Sequence, residues 1–190
     1  MVASSLPKFS VKEYLALEGV AEQRHEFSGG QILAMAGADP AHNTIVHNLH
    51  LVIGNALADR PCQIWGSDQR VLSEAAGEYF YPDLVVACAS PVFVEPRPPS
   101  LTNPQVIVEV LSETPERYDR GDKWSAYRQI PTLTDYVMVS STKREIDHYQ
   151  RTPDGSWTLR TISRDGRVTL GNGVELELGA LYRRVPSLET

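Results

Sequence analysis

One short segment, residues 105–111, limits the folds open to this chain, because it is almost wholly apolar yet carries Glu109. An unbroken apolar run of this length is typical of a strand buried on both faces of a sheet. A lone carboxylate in such a strand is costly, because an unpaired buried charge loses its hydration. Glu109 is therefore either half of a buried ion pair, for example with an arginine, or a functional carboxylate. The lack of polar alternation around it favours the functional carboxylate.

A second carboxylate, Asp83, lies in another apolar run at residues 81–86. Pro82 has no backbone N–H, so the residue after it can lie at a strand entry or kink and extend into a cleft. Taken alone, the tripeptide Tyr-Pro-Asp favours a turn residue. Two carboxylates in strands of the same type, however, predict a shared partner, and a hard divalent cation such as Mg²⁺ is the simplest one. Such a site with a lysine nearby would cleave phosphodiesters.

A lysine candidate lies in a predicted helix over residues 119–129. Asp119, Lys123 and Tyr127 are spaced four residues apart and share one helical face. Taken alone, this spacing favours an ordinary Asp119–Lys123 pair on a solvated face. In the alternative, Lys123 points back at the carboxylates. There it would orient and activate the attacking water or stabilise the charge that develops on the phosphate.

Two further side chains have open interpretations. Glu26, in a predicted hairpin over residues 24–36, is either an additional carboxylate of the site or an exposed hairpin residue. His42, near the start of a predicted long helix, falls on the same face as Val46 and Leu49. It could approach the cleft, but a packing histidine is the simpler interpretation. The histidines of this helix lack the i, i+4 spacing of a helical zinc site.

The order of predicted elements indicates an α/β (α+β) fold, in which helices pack on a central mixed sheet. Ser10 and Glu13 form a capping box for the first helix, and Asp39 is the N-cap of the second. The predicted elements are helix 10–18, hairpin 24–36, helix 41–59, strands 62–73 and 78–89, strand 105–111, helix 119–129, hairpin 134–151, and strands near 157–160 and 174–178. We expect one domain over 1–190, with a core at about 10–150 and C-terminal strands at 155–182.

Composition narrows the functional classes. The chain has 190 residues and a formal net charge of −6, which counts against a nucleic-acid binder without deciding the matter. Because it shows neither a membrane-spanning run nor a signal peptide, we expect a cytoplasmic protein that does not contact membranes. Cys62 and Cys88 are expected to be small buried hydrophobes rather than a disulfide. No phosphate-binding glycine motif and no GxSxG nucleophile motif is present.

Together, these motifs resemble those of the PD-(D/E)XK nuclease superfamily, and within it the Uma family of bacterial restriction-endonuclease-like proteins. The resemblance extends from about residue 14 to residue 149. The matching positions are 24–32, His42, 81–83, 108–112, Asp119, Lys123, Tyr127 and 135–139. One position departs from the superfamily, which places a lysine two residues after its second acidic residue, where this chain has Leu111. Lys123 takes that role by analogy with variants in which a helix supplies the amine.

The resemblance implies a restriction-endonuclease-like core and a metal-dependent endodeoxyribonuclease. Asp83, Glu109 and the carbonyl of Val110 would bind Mg²⁺ or Mn²⁺. The implied catalytic residues are Asp83, Glu109, Lys123 and Glu26. In a second layer around them, the supporting residues would be His42 and Tyr127. DNA would be the substrate, and a homodimer is expected because duplex cleavage needs two cuts.

Two other functions stay open at this point. One is a degenerate nuclease fold that binds DNA or protein, which the negative net charge favours. The other is a metal phosphoesterase for a small substrate, which a narrow acidic pocket would favour. A long groove lined by Arg24, Arg70, Arg117 and Arg120 would instead favour DNA. Fold analogy alone does not decide among them.

Overall fold

A computed structural model describes residues 7–35, 37–94, 97–112, 118–186 and 188. The helical elements are α1 (Val11–Glu18), α2 (Pro40–Leu57), a π-helical turn (Asp119–Lys123), α3 (Trp124–Tyr127) and α4 (Leu178–Leu181). The strands are β1 (His25–Ser28), β2 (Gln31–Ala34), β3 (Cys62–Gly66), β4 (Arg70–Ser73), β5 (Glu78–Phe80), β6 (Leu84–Cys88), β7 (Phe93–Val94), β8 (Ser100–Leu101), β9 (Val106–Leu111), β10 (Asp135–Ser140), β11 (Glu145–Arg151), β12 (Trp157–Ser163), β13 (Arg167–Thr169) and β14 (Glu175–Glu177).

The central sheet has the strand order β12-β11-β10-β9-β6-β3. The central strands β9 and β10 are parallel, and the other neighbouring pairs are antiparallel. Every residue of β9 is buried, as its apolar run predicts. The predicted central mixed sheet is therefore confirmed.

Because successive side chains of a strand point to opposite faces of the sheet, the side chains of β9 pack in two different apolar layers. Val106, Val108 and Val110 pack with the buried face of α2 and with the C-terminal hairpin β13–β14 and α4. Ile107 and Leu111 pack on the opposite side with α3 and part of a second sheet. Glu109, between these last two, therefore projects into the layer that contains the π-helical turn and α3.

The second sheet has the strand order β2-β1-β5-β4-β8-β7. The two long strands expected over 62–73 and 78–89 are each divided in two, and the halves belong to different sheets. The first division is a turn at 67–69, and the second surrounds Pro82, which cannot donate to a ladder. The second division places Asp83 immediately before β6 in the central sheet.

The predicted helix starts are confirmed. Ser10 and Glu13 make both bonds of the capping box at α1. At α2, the Asp39 side chain accepts a hydrogen bond from the backbone N–H of His42 at 2.8 Å. Ile45 is fully buried in the first turns of α2, while Val46 packs partly buried against the same layer.

The cysteine prediction was wrong. Cys62 on β3 and Cys88 on β6 are directly paired across the two antiparallel strands and form a disulfide. Their separation of 26 positions in the sequence conceals this neighbouring position. In the described part of the chain, no helix is both long and apolar enough to cross a membrane.

Candidate active site

Asp83 bonds the end of β9, just beyond the point where the ladder between β9 and the neighbouring strand β6 ends. Leu84, the first residue of β6, pairs with Val108, so β9 continues beyond the ladder. The backbone N–H of Val110 donates instead to Asp83 Oδ2 at 2.7 Å. In a strand, the N–H and C=O of one residue point to the same side. The carbonyl of Val110 therefore faces the side on which Asp83 lies.

Glu109 meets a lysine and a tyrosine from the helical segment above the sheet. Its Oε1 accepts from Lys123 Nζ at 3.1 Å and from the Tyr127 hydroxyl at 3.0 Å. Glu109 and Lys123 are only 4% and 6% exposed. Lys123 therefore points at the carboxylates and not toward solvent, and its partner set lies in the protein interior.

Two more carboxylates surround the same amine. Lys123 Nζ lies 3.0 Å from Glu26 Oε1 and 3.1 Å from Asp119 Oδ1. Glu26 Oε1 also accepts from the backbone N–H of Tyr81 at 3.0 Å. Glu26 is buried, so the interpretation as an exposed hairpin residue was wrong. From the sequence, Asp119 is predicted only as a helical neighbour of Lys123 and not as a member of the site. Its i, i+4 spacing from Lys123 is the sequence signal that could have indicated this membership.

The π-helical turn positions this lysine. Its i→i+5 bonding adds a residue to the turn, a distortion that is frequent at functional sites. Trp124, directly after the turn, stacks on Tyr149 with ring centroids 4.1 Å apart. The hydroxyl of Tyr136 donates to the carbonyl of Asp119 at 3.1 Å. Side-chain packing and this bond thus fix both ends of the turn against the central sheet.

Charges in the cluster are strongly perturbed. Burial raises the pKa of Glu109, although the Lys123 ammonium opposes the shift. Burial alone would lower the pKa of Lys123, but Glu109, Glu26 and Asp119 outweigh it and raise that pKa well above its ordinary value. Lys123 is therefore an ammonium at neutral pH and acts as a donor and a cation rather than as a base.

His42 contacts Asp83 from the first turn of α2. Its Nε2 lies 3.2 Å from Asp83 Oδ2, so one oxygen of Asp83 is shared between His42 and the N–H of Val110. Burial would lower the pKa of His42, but the hydrogen bond with Asp83 and the negative charges of Asp83, Asp39 and Asp119 together outweigh it and raise that pKa. The His42 Nδ1 atom is buried with no hydrogen-bond partner among the described residues. His42 therefore orients Asp83 rather than filling the core alone.

The four carboxylates, Lys123 and His42 line one cleft of about 1130 Å³, whereas Tyr127 is buried and does not line it. Its floor contains four carboxylates and one lysine: Glu26, Asp83, Glu109, Asp119 and Lys123. Negative charge thus exceeds positive charge there. No group of three or more His, Cys, Asp or Glu side chains placed to hold a metal occurs among the described residues. Mg²⁺, however, is commonly held by one or two carboxylates and water, and the hard oxygens of Asp83, Glu109 and Val110 fit that requirement.

The arginine groove considered from the sequence does not form in the described residues. Arg24 lines the cleft and pairs with Asp68 at 2.6 Å. Arg70 is fully buried, where its guanidinium bonds Ser100 and the carbonyl of Pro98. Arg120 pairs with Asp147. Arg117 lies outside the described residues.

A mixed sheet on which two carboxylates from neighbouring strands meet a lysine from a helical turn is typical of the class of restriction-endonuclease-like proteins. The chain belongs to the family described as "Uma2: Putative restriction endonuclease", whose model matches residues 11–181.

Relatives and a solved structure agree with this membership. The chain is 32% identical over 177 residues to "Uncharacterized protein sll1609" of Synechocystis sp., covering 93% of this chain and 96% of that protein. It is 35% identical over 186 residues to "Uncharacterized protein slr1290" of the same organism, covering 95% of each. The crystal structure of "a putative nuclease belonging to DUF820" from Anabaena variabilis superposes with a TM-score of 0.73 at 14% identity, over 92% of this chain and 97% of that one. The last similarity shows the shared fold.

Proposed function

We propose that this protein is a metal-dependent endonuclease that hydrolyses phosphodiester bonds of DNA. One observation carries the proposal: Lys123, supplied by a helix, bonds Glu109 at the strand end where Asp83 also lies. A buried lysine ammonium beside a convergent pair of carboxylates is an arrangement suited to phosphoryl chemistry. Membership in a family of restriction-endonuclease-like proteins supports the same function.

The donor set supports a single hard cation. Asp83, Glu109 and the carbonyl of Val110 would hold Mg²⁺ or Mn²⁺, and a divalent ion would offset the surplus negative charge of the floor. When bound, such an ion polarises the scissile phosphate and lowers the pKa of its water.

Residues of the chain position the reacting groups. The Lys123 ammonium would donate to the attacking water and stabilise negative charge on the phosphate. Glu26 and Asp119 hold its Nζ at 3.0 and 3.1 Å. The Tyr127 hydroxyl fixes Glu109, while His42 fixes Asp83. Each proposed catalytic group thus has a second residue that restricts its orientation, which catalysis of this type requires.

Cleavage of plasmid and single-stranded DNA with Mg²⁺ or Mn²⁺ tests the proposal. We expect the wild type to cleave, and we expect Asp83→Ala and Lys123→Ala to lose cleavage. Asp59→Ala and Lys12→Ala are matched controls, because both side chains are exposed and neither lines the cleft. Folded wild-type protein that cleaves neither substrate with either metal would contradict the proposal. The expected homodimer is tested in the same preparation by light scattering, and a monomer that cuts both strands would refute it.

A second candidate is a catalytically inactive nucleic-acid-binding module. The observation in its favour is the compact ion-pair cluster, in which Lys123 already contacts three carboxylates. Such a cluster can serve structure alone. DNA binding without cleavage, unaffected by Mg²⁺, would favour this candidate. The small-substrate phosphoesterase is disfavoured, because a cleft of about 1130 Å³ exceeds the volume that small ligands usually occupy.

A further inference from the structure

Two surface loops meet beside the cleft at the same end of the central sheet as Glu109. The first follows β10, and the N–H of Ser141 donates to the carbonyl of Leu111, the last residue of β9, at 2.9 Å. The second follows α4. Ser141 and Thr142 of the first loop and Pro186 of the second line the cleft. These three residues place both loops at its rim.

Tyr182 joins the two loops. Its hydroxyl contacts the carbonyls of Ser140 and Glu145, each at 2.8 Å, and lies 3.1 Å from the backbone N–H of Glu145. Tyr182 is buried. The Arg144 guanidinium lies 5.9 Å from the centre of its ring. A buried side chain thus ties the two loops to each other.

Four cations cluster on these loops. We call the exposed side chains Lys143, Arg144, Arg183 and Arg184 the basic rim. Among the described residues of this region, Glu145 is a carboxylate that pairs with Lys143 at 2.6 Å. The basic rim is therefore a positive area on a chain whose net charge is −6.

The charge difference between rim and floor has a consequence for a polyanion. The acidic floor repels phosphate, so a substrate strand needs positive charge beside the cleft to approach it. Lysine and arginine side chains that contact the sugar-phosphate backbone supply most of the non-specific affinity for DNA. Such contacts set the position of the duplex and do not read its sequence.

We propose that the basic rim binds the phosphate backbone of duplex DNA and positions it over the cleft. This inference rests on the proposed nuclease function and adds to it the surface that holds the substrate. The rim residues are positioning residues, because they touch the flanking backbone and not the reacting phosphate. A rigid duplex is the expected partner, since the four cations are presented by loops that Tyr182 fixes in place.

The test compares two quadruple glutamine variants of the full chain. The rim variant replaces Lys143, Arg144, Arg183 and Arg184. The control variant replaces Arg128, Arg160, Arg164 and Arg167, which are exposed and, unlike the rim residues, do not lie on the two loops whose Ser141, Thr142 and Pro186 line the cleft. The rim set and the control set are matched in two further respects. Arg164 and Arg184 both have positive φ, and Arg167 pairs with Glu175 as Lys143 pairs with Glu145.

Binding of a fluorescent DNA duplex is measured in EDTA over a series of salt concentrations, so that cleavage cannot occur. The rim variant should bind roughly tenfold or more weakly at low salt. Its log–log salt slope should also fall by about 0.9 for each phosphate that the variant no longer neutralises. The control variant should stay within about twofold of the wild type, because its charge change is equal but lies elsewhere. Equal reductions of affinity in both variants would overturn the proposal, since net charge alone would then explain binding.

Other outcomes separate this inference from the proposed function. Duplex binding that depends on the basic rim, in a protein that never cleaves, would support the rim and refute the nuclease. Cleavage whose KM is unchanged in the rim variant would refute the rim and leave the nuclease intact. In an active enzyme, the rim variant should raise KM with little change in kcat. Rim-dependent binding to vesicles of phosphatidylserine, but not to the duplex, would also overturn the proposal.

Discussion

Removal of Lys123 should destabilise the fold. With methionine in its place, the buried carboxylates of Glu26, Glu109 and Asp119 lose their common cation. Breaking a buried ion pair on one side costs about 3–5 kcal/mol, and we expect Lys123→Met to lose that much free energy of unfolding at pH 7. Urea denaturation monitored by circular dichroism measures the loss.

The pH dependence of this loss has a definite sign. Burial already raises the pKa of Glu109 and of Asp119, and removal of the ammonium that opposes the shift raises both further. A carboxyl whose pKa is higher in the folded state makes the protein less stable as pH rises through that range. The deficit of Lys123→Met should therefore shrink as the pH is lowered toward the ordinary carboxyl values of about 4. Lys12→Met, at an exposed site, should show no deficit at any pH.

Glu109→Gln should separate stability from activity. Glutamine keeps the shape of the side chain and removes one buried charge from a cluster in which carboxylates outnumber Lys123. We expect a stability at pH 7 equal to or above that of the wild type, together with loss of cleavage. Because the pKa of Glu109 is raised, any gain in stability of Glu109→Gln over the wild type should grow as the pH rises above the ordinary pKa of a glutamate. A loss of more than about 2 kcal/mol would show that the ion pair is a net source of stability.

At the scale of residues, a site residue can be predicted from the sequence when it interrupts a local pattern. Glu109 interrupts an apolar strand, and this conflict between charge and burial is visible without a structure. Arg70 shows the reverse case. Its sequence position gives no sign that the guanidinium lies in the core, because its partners Ser100 and Pro98 come from a strand and loop that only the tertiary fold brings near.

Among the elements, α2 supplies one of the supports of the site. Its N-cap Asp39 bonds the backbone N–H of His42, whose ring in turn contacts Asp83. Asp39→Ala should lose about 1 kcal/mol of unfolding free energy, the usual cost of removing an N-cap. Asp59→Ala, an exposed residue beyond the end of α2, is the matched control and should leave stability within about 0.5 kcal/mol. Equal losses in the two variants would show that the charge at Asp39, and not its cap bond, matters.

The same helix allows a test of its buried face. Leu49 is fully buried in the layer between α2 and the central sheet, whereas Leu51 is 50% exposed. Leu49→Ala should cost about 2–5 kcal/mol through lost burial and the cavity that remains. Leu51→Ala removes the same atoms from the exposed side and should cost far less, as thermal denaturation would show. Similar costs at the two positions would mean that the helix packs differently.

Helix starts are predictable at this scale because their signals are local, as at Ser10 and Asp39. The sheet to which a strand belongs is not predictable from local signals. The runs over 62–73 and 78–89 read as single strands, yet each contributes to two sheets. The pairing of Cys62 with Cys88 depends on the same partner choice, since it exists only because β3 lies beside β6. The π-helical turn that carries Lys123 is likewise followed by a contact that is distant in the sequence, the stacking of Trp124 on Tyr149.

For the whole molecule, the distribution of charge matters more than its total. The net value of −6 counts against DNA binding, but it averages an acidic floor with the basic rim. Sequence alone could not separate these two, because the rim combines residues from loops that are distant in the chain and joined by Tyr182. A divalent ion held on the floor would offset part of the negative charge of its four carboxylates.

Binding of that ion should therefore stabilise the whole fold. A ligand that binds only the folded state adds about 2.7 kcal/mol when it is present at roughly 100 times its Kd. For a chain of this length, that corresponds to a rise in Tm of roughly 5–10 °C. We expect Mn²⁺ or Mg²⁺ to raise the Tm of the wild type and of Asp59→Ala but not that of Asp83→Ala. Differential scanning calorimetry with and without EDTA measures the shift. An equal shift in Asp83→Ala would place the ion elsewhere and refute the proposed ligand set, whether or not the protein cleaves DNA.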